Sequence, residues 1–218
     1  MTKNYYHKIT SVIKKIDRMT NYKTGCLIRS ITNINTKKFW DKKLSSYGET
    51  WRTFPYEYIL DFLPKDTIYS VLDIGSGLGD GCLLFKRHFP QADVEGADFS
   101  KVAIEKSKRK TNDIKYFELD ISKENPHRRY DYITLIHILE HFNDPYIIVD
   151  KCLSFVNKAL IIECPYTDKI DEPRLYRSGQ HRYLFNKNTF SRYNCTILKI
   201  TEHIESAGYR YIIYKLTP

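Results

Sequence analysis

The sequence predicts an α/β chain: a doubly wound, mostly parallel sheet of seven strands that ends in an antiparallel C-terminal hairpin, preceded by an N-terminal helical extension. Three observations carry this. Ser70 to Gly81 reads as a buried strand that breaks into a glycine turn and opens a helix, with Val71, Leu72 and Ile74 as the apolar run of a central parallel strand. Strand and helix patterns then alternate as far as Glu163, the order that builds parallel β–α units. Last, residues 196–203 and 209–216 alternate in polarity around Ser206-Ala207-Gly208, which marks an antiparallel pair.

Taken in order, Tyr6, Ile9, Ile13 and Ile16 recur at helical spacing, so residues 5–20 are read as an amphipathic helix. Residues 20–38 lack a sustained period and read as a loop with short helical pieces. Phe39 to Tyr47 is a short helix, and the periodic Tyr56, Ile59, Leu60, Phe62 and Leu63 form another that Pro64 stops. Residues 1–65 are therefore a helical extension, and residues 66–218 the α/β domain. Past the glycine turn, a helix over about 80–89 ends at Pro90, and Ala92 to Ala97 is a second strand that closes on Asp98-Phe99-Ser100. A helix over 101–110, a third strand from Ile114 to Asp120 and a fourth from Asp131 to Ile136 follow. A helix over 145–157 and a fifth strand from Ala159 to Glu163 complete the alternation. Pro165 to Gly179 reads as a long polar loop facing a substrate. After Gln180 to Phe185 comes a short helix capped by Asn186 or Asn188, with Phe190 and Tyr193 buried.

The glycine spacing narrows the ligand. A dinucleotide fingerprint, G-x-G-x-x-G, would need a third glycine where Asp80 stands. What stands instead is Asp73-x-Gly75-x-Gly77-x-Gly79, followed by acidic residues at the ends of the next two strands, Asp98 and Asp120. This order resembles class I (Rossmann-like) S-adenosylmethionine-dependent methyltransferases. The run Asp131 to Pro145, with Leu139-Glu140-His141 inside it, resembles the small-molecule "LEH" branch of that family. The resemblance covers about residues 66–216. It implies that Asp73 and Gly75, Gly77 and Gly79 cradle the methionine and ribose end of S-adenosylmethionine, and that Asp98, with Phe99 beside it, holds the ribose hydroxyls. Asp120 and Ile121 then lie at the adenine. Read from its residues alone, Asp98 could equally cap the next helix, a role that Ser100 already fills. The extension becomes a lid on the cofactor and substrate side, with Trp40, Tyr47 and Trp51 as packing residues or lid, and Arg52 either a carboxylate partner or a surface group.

His137 follows the fourth strand, where the fold presents a ligand, and is the candidate base for a protonated acceptor, since a near-neutral imidazole can take a hydroxyl proton. The other reading of His137 is a packing or cofactor-orienting residue. The Asn/Asp-Pro-Pro-aromatic motif of many amino-group methyltransferases is missing here, which tilts the acceptor towards oxygen. His137, Glu140 and His141 share one helical face, and His181 could be brought beside them. Two metal-assisted relatives, ubiquinone-pathway O-methyltransferases and small-RNA 2′-O-methyltransferases, carry a similar cluster with a carboxylate at the His137 position. Such a set would hold a divalent metal, Zn²⁺, Fe²⁺, Mn²⁺ or Co²⁺ before Mg²⁺.

Composition bounds the rest. No apolar run is long enough to span a bilayer and the N-terminus lacks a signal-peptide core, so a cytoplasmic enzyme is expected. The five cysteines, Cys26, Cys82, Cys152, Cys164 and Cys195, include no C-x-x-C pair and read as reduced and mostly buried. The net charge is +9, and residues 1–45 hold eleven Lys and Arg against Asp17 and Asp41, which leaves the remainder neutral. That basic segment suits nucleic acid, an anionic membrane surface, an anionic glycan or only a solvated face. The expected function is methylation of a small-molecule or glycan hydroxyl. The alternatives are a metal-assisted RNA 2′-O-methyltransferase, and a non-catalytic module that binds S-adenosylmethionine.

Overall fold

The structure is a computed structural model, and it describes residues 35–48, 53–65, 67–168, 170, 174–178, 180–201 and 210–218, the backbone alone for 54 and 174–178. The helix expected over 5–20, with Trp51 and Arg52, lies outside the described residues.

Nine strands are described: β1 (Ser70–Ile74), β2 (Asp93–Asp98), β3 (Lys115–Glu118), β4 (Tyr130–Ile136), β5 (Val156–Tyr166), β6 (Arg174–Ser178), β7 (His181–Leu184), β8 (Cys195–Ile200) and β9 (Arg210–Leu216). Seven of them form one sheet in the order β3-β2-β1-β4-β5-β9-β8. Strands β1 to β5 are parallel, whereas β9 runs antiparallel between β5 and β8. The order reverses between β1 and β4, and ligands of open α/β sheets bind outside the carboxyl ends of the strands at such a point.

The helices are α1 (Lys37–Ser46), α2 (Phe54–Glu57), α3 (Asp80–His88), α4 (Lys101–Lys108) and α5 (Pro145–Ser154). Alternation within the strands makes two cores. Leu72, Ile74, Ile133, Leu135, Leu160 and Ile162 face Ile148, Val149 and Cys152 of α5. Val71, Val94, Tyr132 and Ile161 face Cys82 and Phe85 of α3 and Ile104 of α4. Tyr56, Ile59 and Leu63 join the second cluster, so the segment before β1 is part of the core. Ser100 caps α4 through the Ala103 N–H, and Asp144 caps α5 through the Tyr146 N–H with Pro145 in the first turn.

Four expectations need correction. The third strand stops at Glu118, which leaves Asp120 in a turn. The helix expected over 145–157 ends at Ser154, and β5 starts at Val156 and runs to Tyr166, because β9 pairs along it from Leu160 to Tyr166. The polar loop carries β6, which pairs with β7 as a separate hairpin. Where a helix was expected after Phe185 there are successive turns. Thr189 Oγ1 accepts the Asn186 N–H and Asn186 Oδ1 accepts the Asn188 N–H, so local side-chain bonds displace the helical ladder. Phe190 is buried there as expected, and Tyr193 packs partly against the same core. Among the described residues no helix is long and apolar enough to cross a membrane.

Candidate active site

The turn after β1 is built by backbone. Gly75 and Ser76 donate to the Ala97 carbonyl at 2.7 and 3.0 Å, and Gly77 donates to Asp98 Oδ2 at 3.0 Å. Gly75 and Gly77 lie at φ +79° and +54°, the left-handed region that a side chain disfavours. Their surroundings differ. A Cβ on Gly75 would stand 2.0 Å from Ile138 Cδ1, whereas one on Gly77 would meet nothing within 4 Å. The turn is thus closed by protein at Gly75 and open at Gly77. From behind, Ser107 of α4 donates to the Gly77 carbonyl and Tyr116 of β3 to that of Gly79, both at 3.2 Å.

Asp98 is buried at the end of β2. Its Oδ1 accepts the Ser100 N–H at 2.8 Å and its Oδ2 the Gly77 N–H. Burial pushes its carboxyl up to about 6, although those two N–H groups oppose the rise. Phe99 beside it is partly exposed. Asp73 is different. It is fully buried under the turn, with Oδ1 taken by Thr134 at 2.7 Å and Oδ2 by Tyr56 at 3.0 Å and the Cys82 thiol at 3.6 Å. Burial raises its carboxyl to about 7. Both oxygens serve the protein, so Asp73 ties β1 to β4, α2 and α3.

Asp120 begins a turn in which the Ser122 N–H, the Ser122 hydroxyl and Lys123 Nζ reach its carboxylate, Lys123 at 2.7 Å. Burial works to raise this group, but Lys123 and Ser122 outweigh it and hold the carboxyl below its usual range. Lys151 of α5 ties the turn down by donating to the carbonyls of Ile121, at 2.7 Å, and Glu124, at 3.1 Å. Ile121 itself is core.

Just past the end of β4 stands His137, the one non-glycine residue at positive φ (55°) among the described residues. Such strain persists where the surroundings over-determine it, and it concentrates at functional sites. Its N–H bonds the Glu163 carbonyl at 3.0 Å, which continues the β4–β5 ladder past its end. Nδ1 lies 3.4 Å from Glu140 Oε1, Nε2 lies 3.9 Å from Glu163 Oε2, and Tyr211 packs edge-on at 4.8 Å.

The two carboxyl groups beside His137 are opposite in character. Burial works against ionised Glu140, but His141 and His137 overcome it and pull its carboxyl down to about 2. Burial pushes Glu163 up to about 8, with only His137 opposing. Neither Glu163 oxygen has a hydrogen-bond partner, nor does Glu140 Oε2.

The expected metal set does not form. Among the described residues no group of three or more His, Cys, Asp or Glu is arranged to hold a metal ion. His137, Glu140, His141 and His181 do gather, but His141 spends Nδ1 on the Gln180 carbonyl at 3.1 Å and His181 meets it ring to ring at 5.7 Å. Burial lowers the His181 pKa. Glu163 was missed from the sequence, where it reads as the polar end of an apolar strand.

Helix α1 reaches both sides of the crevice. Ser100 donates to Asp41, Lys37 pairs with Glu118 at 2.6 Å, and Lys106 donates to the carbonyls of Leu44 and Tyr47 at its C-terminal end. On the His137 side, Trp40 lies edge-on to His141 at 5.1 Å and Lys43 donates to Gln180 Oε1 at 3.1 Å.

Comparison with known proteins agrees with this layout. A trans-aconitate 2-methyltransferase of Enterobacter sp. (strain 638) is 26% identical over 136 residues, 62% of this chain and 53% of that protein. One of Methylobacterium radiotolerans is 24% identical over 141 residues, 64% and 54% of the respective chains. The chain therefore spans about half the length of the curated relatives it matches. The DhpI–SAH complex superposes with a TM-score of 0.58 at 19% identity, covering 84% of this chain and 95% of that one. The magnesium protoporphyrin IX methyltransferase (ChlM) of Synechocystis PCC 6803 with bound SAH does so with a TM-score of 0.62 at 14% identity, covering 88% and 99%. These two likenesses speak for the fold. The family model described as "Methyltransferase domain" matches residues 40–212, most of the chain, and with the strand order, the glycine turn and the acidic strand end in place, the chain belongs to the methyltransferase-domain family.

Proposed function

We propose that the chain is an S-adenosylmethionine-dependent methyltransferase that acts on oxygen of a small-molecule or glycan acceptor, with His137 as general base. The observation that carries this is the placement of His137. It is held at positive φ just past the carboxyl end of β4, the strand that pairs with β1, whose own end opens into the glycine turn. Two features of the chain fit the cofactor. A Cβ at Gly77 would occupy open space, which is room for a ligand to approach the backbone. The Asp98 carboxylate keeps acceptor capacity beyond its two N–H partners, as a pair of ribose hydroxyls requires.

When bound, S-adenosylmethionine supplies an electrophilic methyl group on a sulfonium, open to in-line attack. Gly75, Gly77 and Gly79 shape the ribose and methionine end, Asp98 and Phe99 line the ribose, and Asp120 and Ile121 flank the adenine. His137 would take the acceptor's hydroxyl proton while the methyl carbon passes from the sulfonium sulfur to that oxygen, and Glu140, ionised and 3.4 Å from Nδ1, would stabilise the imidazolium. Helix α1 closes the crevice as a lid. The relatives' printed acceptor, trans-aconitate, supports a small molecule before a polymer.

Calorimetric titration with S-adenosylhomocysteine tests the cofactor half. Wild type should bind, and Asp98→Ala should lose roughly tenfold to several hundredfold in affinity, the worth of one or two charge-assisted hydrogen bonds. A folded wild type that does not bind refutes the reading. His137→Ala should keep that affinity and lose methyl transfer.

A further inference from the structure

One cation at the acceptor end has no anion to match it. Lys43 sits on the second turn of α1, half-buried, and among the described residues its ammonium donates only to the neutral Gln180 Oε1 at 3.1 Å. It also lies 4.5 Å from the centre of the Trp40 ring, one helical turn back on the same face. Among the described residues it has no ion-pair partner. The acid on its own helix, Asp41, is turned to the opposite side, where Ser100 donates to it. The nearby acid that is ionised, Glu140, is fully buried and already faces His137 at 3.4 Å and His141 at 4.0 Å.

Desolvation disfavours a charged amine, and burial lowers the Lys43 pKa accordingly. A group kept charged at such a cost, without a protein counter-ion, is suited to an anion that arrives from outside. The surroundings define which. Gln180 is fixed by its own backbone, whose carbonyl accepts His141 Nδ1 at 3.1 Å and Asn35 Nδ2 at 2.8 Å. Trp40, His141 and His181 stand ring to ring as flat walls, at 5.1 and 5.7 Å. A single ammonium balances one negative charge, which suits a carboxylate better than a phosphate dianion.

We propose that the acceptor carries a carboxylate group, held by Lys43 against the Trp40 ring on the lid helix. This rests on the acceptor-methyltransferase reading above and adds the chemical class of its substrate. Recognition then depends on α1, so the lid that covers the crevice also selects what enters it. The path from Lys43 through Gln180, His141 and Glu140 to His137 is continuous, and it links the recognised charge to the base.

The test uses a cell extract freed of macromolecules by ultrafiltration and split on an anion exchanger before the reaction. Each fraction is incubated with the full chain and methyl-labelled S-adenosylmethionine, while calorimetry with S-adenosylhomocysteine is run in parallel. Label is expected in the retained, anionic fraction. On the acceptor purified from it, Lys43→Met should raise KM roughly tenfold to a hundredfold with kcat nearly unchanged, and Lys43→Arg should recover most of the loss. S-adenosylhomocysteine affinity should be the same in all three proteins. Label confined to the unretained fraction overturns the proposal, as does a Lys43→Met variant with wild-type KM. If Lys43→Met instead loses S-adenosylhomocysteine affinity, the ammonium serves the cofactor and the proposal is wrong. A wild type that binds no S-adenosylhomocysteine, or that binds it and labels neither fraction, overturns the parent reading and this one with it.

Discussion

Replacing Glu163 by glutamine should stabilise the fold, and by an amount that grows with pH. The Glu163 side chain is fully buried, and neither carboxyl oxygen has a hydrogen-bond partner. Burial is the largest influence on it and the Glu140 charge adds to it, while His137 opposes, so the carboxyl moves from its ordinary 4.5 to about 8. In the unfolded chain the group ionises near 4.5, and in the fold it keeps its proton until about pH 8. The folded state therefore binds the extra proton between those values, and stability falls as pH rises. The contribution is complete below pH 4.5 and is gone once pH has passed about 8. At about 1.4 kcal/mol per pH unit, the window corresponds to on the order of 4–5 kcal/mol. Glutamine has the shape of the neutral acid and does not titrate. Its unpaired amide still carries a desolvation cost of about 1–3 kcal/mol, present at every pH. The buried neutral acid carries a similar cost, so the variant should be close to wild type near pH 5 and on the order of 4–5 kcal/mol more stable near pH 9. Urea unfolding followed by far-ultraviolet circular dichroism at several pH values reads this directly. Curves for wild type and Glu163→Gln that stay parallel from acid to alkaline pH would refute the reasoning, since a Glu163 that ionises normally gives no such divergence.

The glycine turn and Asp98 allow sharper separations of folding from binding. Gly75→Ala should cost about 2–4 kcal/mol of stability, from positive φ together with a Cβ placed 2.0 Å from Ile138 Cδ1. Gly77→Ala, with open space at its Cβ, should cost only about 1–2 kcal/mol of backbone strain yet weaken S-adenosylhomocysteine binding more than any change at Gly48; thermal melts beside calorimetry check both. Because the ionised carboxylate of Asp98 is the form that accepts ribose hydroxyls, and burial has raised it to about 6, S-adenosylhomocysteine affinity should fall as pH drops through that value. Asp98→Asn should flatten that dependence, and an unchanged slope would remove Asp98 from the contact.

The parallel half of the sheet was legible because each of its signals is local. Val71, Leu72 and Ile74 announce a buried strand, Gly75 and Gly77 announce the turn, and Asp98 falls at a strand end that the next helix cap confirms. What local pattern cannot carry is the face on which a polar residue lands. Asp73 sits in a strand pointing at the ligand turn, so it reads as a ligand contact. In the fold it points into the α3 side of the sheet, where Tyr56, from before the strand, and Thr134, from β4, occupy its oxygens. The turns after Asn186 were misread for a related reason. Apolar spacing suggests a helix, but Asn186 and Thr189 offer the backbone side-chain partners that a helix would waste.

The acceptor end was the least legible part, and its chemistry follows from contacts that no window of sequence contains. Glu163 is buried because β9 returns from the C-terminal end and pairs with it at Ile213, and because His137 crosses above it after β4. Trp40 and Lys43 reach His141 and Gln180 across about a hundred residues or more. Their juxtaposition gives the crevice a division of labour. On the proposed reading, the cofactor side is made by backbone groups and one carboxylate on β1, β2 and their turns, parts that any S-adenosylmethionine enzyme of this fold can share. On the same reading, the acceptor side is made by α1, the turn after β4 and the residues at the start of β7. On that reading, changes confined to Lys43 and Trp40 alter the acceptor while α1 keeps its anchors on Ser100 and Lys106.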